Sequence, residues 1–309
     1  GELAKAAMLG GEVTLTENVV LEEPLNVIAN MVVNLGDYTI SNANGYAFEN
    51  SGDLTISANN QGGIAGLGGI RSNGGKVTIN GGTYTGSSDW NNGTFQHLLK
   101  AVNTEVVIND GTFDATIGGI TNALINVSEG SKVTINGGKF KNVNGAIPQF
   151  SPYLFTYEKN GKLIINDGEF YGGWRFNGES ATTDIYGGDF TVGFDGQSFH
   201  ASSTHVLTVY GGTFTPTAYA NHSLTGKLDK VVADGYYVNV VDGKYEVNDF
   251  ILTADTAGLQ AALDAATDGT TIHLTAGVNY GVVYMGRPTK SNNTTMICNT
   301  HNFETTDEA

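Results

Sequence analysis

Cysteine is nearly absent from this chain: Cys298 stands alone, so no intrachain disulfide can form and stability must come from packing and hydrogen bonds. Charge is sparse as well, at 15% of the residues, and basic charge sparser still. Fifteen Lys and Arg face 31 Asp and Glu, giving a net charge of −16. A field of that sign repels phosphate backbones and anionic headgroups, which argues against nucleic acid as a partner. No run of about 18 apolar residues occurs, so the sequence offers no membrane insertion. The opening "GELAKAAMLG" lacks the basic and long apolar regions of a signal peptide. Its start at Gly1 without a Met reads as processed or engineered, which favours an exported protein, extracellular or at the cell surface, over a cytosolic one.

Glycine, by contrast, is abundant, with 43 residues in a chain of 309 that is 40% hydrophobic. Such a chain can bury a sizeable core and turn often. The glycines belong to a repeat. "KVTINGGTYTG" at residues 76–86 returns as "EVVINDGTFDA", "KVTINGGKFKN", "KLIINDGEFYG", "TTDIYGGDFTV" and "VLTVYGGTFTP". Aligned on Ile79, Ile108, Ile135, Ile165, Ile185 and Val209, the copies are spaced by 29, 27, 30, 20 and 24 residues, which marks a solenoid. Within each copy apolar and polar residues alternate, the period of a strand, and Gly-Gly or Asp-Gly then corners the chain. Extended back to "EVTLTENVVL", the register predicts roughly nine coils stacked about 4.8 Å apart. Val77, Val106, Val133, Leu163 and Leu207 are expected to form an aliphatic ladder, and Tyr84, Phe113, Phe140, Phe170, Phe190 and Phe214 an aromatic one. Asn80, Asn109, Asn136 and Asn166 are expected to bond turn backbone. Tyr186 and Tyr210 replace them in the last two copies and suggest a wider or differently shaped corner there.

The short N-terminal helix, the "VTINGG" coils and the variable insertions resemble bacterial right-handed parallel β-helix repeat proteins of the pectin-lyase-like superfamily, over about residues 1–248. The resemblance implies an all-β, right-handed parallel β-helix. It does not choose among the lyases, hydrolases, adhesins and phage spikes that share the fold. The superfamily's Asn-Thr-Asp, Gly-His-Gly, Arg-Ile-Lys and Trp-Ile-Asp-His strings are absent, so no catalytic residue carries over.

Both ends look capped. Residues 2–9 read as a capping helix, and "KVVADGYYVNVVDGKYEV" as a hairpin turning at Asp242-Gly243. The opening pattern then restarts. A Thr256-headed helix followed by "TTIHL" makes residues 249–309 resemble the start of a second β-helix unit, cut short.

The chemistry-bearing residues are few. Asp110 and Asp167 read as turn residues. Glu169 and Asp189 share a ladder position one coil apart, closer than the carboxylate pairs of most glycosidases. The six histidines show no metal-ligand spacing, so no metal site is assigned. No cofactor is implied, calcium being the one ion the acidic pairs would suit. "EFYGGWRFNGE" gathers Tyr171, Trp174, Arg175 and Phe176. With Asp189, and with Trp90 in a long insertion, these form the candidate binding surface for a glycan or a partner protein. Tyr153, Phe155 and Tyr157 fall in a second insertion expected to leave the coil as a loop. Three functions fit: a surface-displayed, adhesin-like binding module; a polysaccharide lyase or glycoside hydrolase; and a structural spacer of a surface or phage fibre.

Overall fold

The computed structural model describes residues 1–59, 61–86, 97–114, 123–142, 153–194, 204–215, 227–281, 283 and 295–298. It is a parallel β-solenoid of about nine turns with two short helices. The first six coils contribute strands to three faces. The first face runs from Gly11–Thr14 to Val206–Val209 and the second from Val19–Leu21 to Thr213–Phe214. Together with the closing hairpin they form one 18-stranded sheet bent along a corner. The third face is a six-stranded sheet from Leu25–Val27 to Phe155–Tyr157.

Strict alternation sends every second side chain inward. The aliphatic ladder is Val77, Val106, Val133, Leu163, Thr183 and Leu207, with one threonine among its members. The aromatic ladder forms on the second face. Tyr84, Phe113, Phe140, Phe170, Phe190 and Phe214 stack nearly parallel, their ring centroids 4.5, 5.0, 5.0, 4.7 and 4.7 Å apart. The ladder dictates the corner before it. The second glycine of each copy has positive φ, and a Cβ on Gly168 would lie 3.0 Å from the Phe170 ring. Glycine alone fits both constraints there.

The corner asparagines behave differently from the expectation. Asn109 Nδ2 donates to Asn80 Oδ1 at 2.8 Å, Asn136 to Asn109 at 2.9 Å and Asn166 to Asn136 at 2.7 Å. They bond one another along the axis, on the exposed side, because stacking places each amide above the next. Where tyrosine replaces them, the main-chain bonding of the corner is kept. Tyr186 and Tyr210 stack at 4.7 Å, and their backbone N–H groups bond the coil below as Asn136 and Asn166 do. The other two corners are closed by buried polar side chains. Asn142 Nδ2 donates to the Tyr153 carbonyl at 2.6 Å, and Asn50 Nδ2 to Ser72 Oγ at 2.9 Å.

The caps are helix α1 (Glu2–Leu9), lying over Leu25–Val27, and the hairpin Tyr237–Val241/Lys244–Asn248, whose second strand pairs antiparallel with Thr213–Phe214. Asp242 and Gly243 hold φ of 50° and 76°, as a tight hairpin turn requires. Beyond the hairpin, Ile251–Thr253, Thr271–Leu274 and Thr295–Cys298 pair as a parallel sheet, and helix α2 (Thr256–Ala265) shares a separate small core with Leu259, Ile272 and Leu274 among its members. Asp255, not Thr256, caps α2, accepting from Gly258 N at 2.7 Å.

Phe140→Ala removes the middle of the aromatic ladder and leaves a cavity between Phe113 and Phe170. Chemical denaturation should show a loss of about 3–5 kcal/mol. A loss under about 1 kcal/mol would mean that the rings do not stack as described.

Candidate functional site: a groove along the second face

The outward residues of the second face are those flanking each ladder phenylalanine. In register along the axis they run Thr112, Lys139, Glu169, Asp189 in one row and Asp114, Lys141, Tyr171, Thr191 in the next. With Thr215, and with Lys244 from the closing hairpin, they line a concave groove of about 440 Å³. Lys139 Nζ lies 3.3 Å from Glu169 Oε2, both side chains largely exposed. Such a pair contributes about 1 kcal/mol or less, so a ligand's polar groups can replace it at little cost. Lys141 Nζ lies 5.9 Å from the centre of the half-buried Tyr171 ring. Three cations and three carboxylates therefore surround one aromatic ring.

The structure divides the residues singled out by the sequence. Tyr171 and Asp189 meet in the groove. Arg175 is exposed but sits at the next corner, its guanidinium 5.8 Å from the Tyr153 ring centre. Trp174 and Phe176 are corrected to the core, at 0% and 3% exposure. The physical reason is parity: Phe170, Trp174 and Phe176 are separated by even numbers of residues and all point inward, while Tyr171 and Arg175 point out. Phe155 and Tyr157 are likewise corrected from loop to buried strand. Trp90 lies outside the described residues. The reading from sequence missed Asp114, Lys139, Lys141 and Thr191, which the same alternation, counted from each ladder phenylalanine, would have found.

Beneath this segment runs a buried polar chain. His205 Nδ1 is 2.6 Å from the Asn177 carbonyl oxygen, which can only accept, so Nδ1 carries the proton. In the neutral ring Nε2 then accepts from Thr183 Oγ1 at 3.0 Å. The Thr183 and Tyr157 hydroxyl oxygens are 2.8 Å apart, so Thr183, its proton directed at His205, receives that of Tyr157. Tyr157 in turn accepts from Trp174 Nε1 at 3.0 Å. Every group is satisfied while His205 is neutral. Burial pushes its pKa below the ordinary value, partly offset by the Asn177 carbonyl. His97 is more deeply buried, and burial, with Lys100 nearby, lowers its pKa to about 4.

Asp110 and Asp167 each accept from the following glycine N–H at 2.8 Å, as turn residues do. Among the described residues no group of three or more His, Cys, Asp or Glu converges to hold a metal, and no helix is long and apolar enough to cross a membrane. No family model, no curated protein and no solved structure matches this chain.

The lowered histidine pKa values fix a sign. Between pH 6.5 and about 4 the unfolded chain binds protons that the folded chain refuses, so stability falls as pH drops through that window. For His97 the full loss is about 3 kcal/mol. Urea denaturation at pH 7 and pH 4 measures it, and His97→Leu should remove most of the difference. An unchanged difference in both His97→Leu and His205→Gln would contradict the assignment.

Proposed function

We propose that this chain is an exported, cell-surface binding module whose second face holds a segment of glycan chain. The pectin-lyase-like resemblance belongs to the same proposal, as does right-handed winding, which parallel crossovers overwhelmingly adopt. One observation carries the reading: a half-buried tyrosine in a groove that crosses five coils and is lined by three lysines and three carboxylates. At about 4.8 Å per coil the groove is about 19 Å long, which suits a polymer better than a small metabolite. Tyr171 offers an apolar ring face to a sugar. Lys139, Lys141, Glu169 and Asp189 offer donors and acceptors at regular intervals to its hydroxyls. The lining carries no net charge, so an uncharged or mixed-charge glycan fits better than a polyanion. No cofactor is needed for such binding, and calcium enters as an added component in the test.

Affinity electrophoresis against neutral and acidic polysaccharides, with and without calcium, tests the proposal. Tyr171→Ala should weaken binding about tenfold or more, while Arg175→Ala leaves it unchanged. Equal binding by wild type and Tyr171→Ala would overturn the site. Shortening of a polymer by the wild type, abolished in Glu169→Gln or Asp189→Asn, would make the groove an active site. Retention of a surface protein and of no glycan would replace the ligand class.

A further inference from the structure

The two units of this chain begin alike. In the first, α1 leads through Gly10 into Gly11–Thr14; in the second, α2 leads into Thr271–Leu274. The strands align as "EVTLT" on "TIHLT", with Val13 at the place of Ile272 and Leu15 at that of Leu274. They differ in their neighbours. Thr271–Leu274 pairs in parallel with Thr295–Cys298 on one side and with Ile251–Thr253 on the other. Among the described residues Gly11–Thr14 pairs with Asn30–Asn34 alone.

Hydrogen-bond parity shows which groups the open side presents. Leu15 N donates to the Asn34 carbonyl at 2.9 Å, so Val13 and Leu15 face the next coil, and Thr14 and Thr16 turn their N–H groups outward. In the second unit Thr275, the counterpart of Thr16, donates its N–H to the Thr253 carbonyl at 3.2 Å. The consequence is visible in burial: Ile272 is fully buried under that added strand, whereas Val13 is half-exposed.

Apolar surface collects at the same end of the rod. Met8, Leu9, Val20 and Ile28 are 62%, 75%, 78% and 59% exposed. The neighbouring edges are less inviting. Glu17, Glu22, Glu23 and Pro24 flank Val19–Leu21 and Leu25–Val27, and charge and proline discourage strand addition. The edge of Gly11–Thr14 carries Glu12 and two glycines.

We propose that the open edge of Gly11–Thr14 is an interaction surface for a parallel β-strand of the Ile251–Thr253 kind, delivered by the hairpin cap of a second solenoid unit of this construction. The second unit shows how the delivery works. Asn239, in the hairpin, donates through Nδ2 to the Phe250 carbonyl at 2.9 Å and accepts at Oδ1 from Leu252 N at 2.7 Å, aiming Ile251–Thr253 at the next unit's first strand. Solenoid units joined in this way form an end-to-end array whose cores are sealed at each junction by main-chain bonds.

The experiment adds an acetylated peptide of residues 248–255 to the whole chain and follows amide exchange by mass spectrometry. Exchange over residues 12–16 should slow about tenfold at saturating peptide. The slowing should vanish with a Thr253→Pro peptide. It should vanish also in the Thr14→Pro chain, which loses an outward N–H and the exposed bond from Asn34 Nδ2 to Thr14 Oγ1 but no main-chain bond to the next coil, and so keeps its fold. No slowing at millimolar peptide, equal slowing with the proline peptide, or slowing confined to other strands would each overturn the proposal.

Discussion

The stacking of one aromatic ring per coil is the constraint on which the rest of this structure depends. Backbone bonding sets coils about 4.8 Å apart. Rings stacked 4.5 to 5.0 Å apart and nearly parallel match that rise only if every coil repeats the same side-chain direction. The requirement reaches back to the corner, where the second glycine makes room for the ring edge, and forward along the strand, where parity is locked for every residue that follows. What lies inside then decides what lies outside. Lys139, Glu169 and Asp189 form a row because Phe140, Phe170 and Phe190 form one beneath them.

The architecture was legible because a repeat of strand, glycine corner and aromatic has no other compact solution. The aromatic ladder, the helical cap and the hairpin were all readable residue by residue. The candidate site was legible in part. Tyr171 and Asp189 reach the groove, but grouping aromatics by nearness in sequence placed Trp174 and Phe176 beside them, although alternation from Phe170 sends both inward. The asparagine ladder was misassigned for a related reason. A single copy suggests an asparagine bonding its own turn, and only the stacking of copies shows that the next asparagine is the better partner.

Two kinds of surface result, and they answer to different physics. Along the second face, the exposed Lys139–Glu169 ion pair near one tyrosine is weak enough to exchange for a ligand's polar groups, while the buried ladder holds it in place. At the end of the rod, unpaired main-chain groups and apolar side chains invite another strand. Between these lies an interior in which burial disfavours the charged form of His97 and His205, and in which some polar side chains, such as Asn50 with Ser72, bond across coils. The groove and the end are independent: either surface can serve without the other, since no described residue belongs to both.

If interchangeable coils in register hold the molecule together, a whole coil can be removed and half of one cannot. Residues 53–75 make one complete coil. Lys76 follows Asp53 in register, Thr83 follows Gly63 and Leu99 follows Ile70, so their excision brings Asn30 against Lys76 with all three faces rejoined. The most direct measurement is the cooperative thermal unfolding of this variant, followed by circular dichroism beside one lacking residues 53–63. The account predicts a native β spectrum and a single sharp transition for the whole-coil deletion, and loss of both for the partial one. Equal collapse of the two variants, or equal tolerance of both, would contradict it.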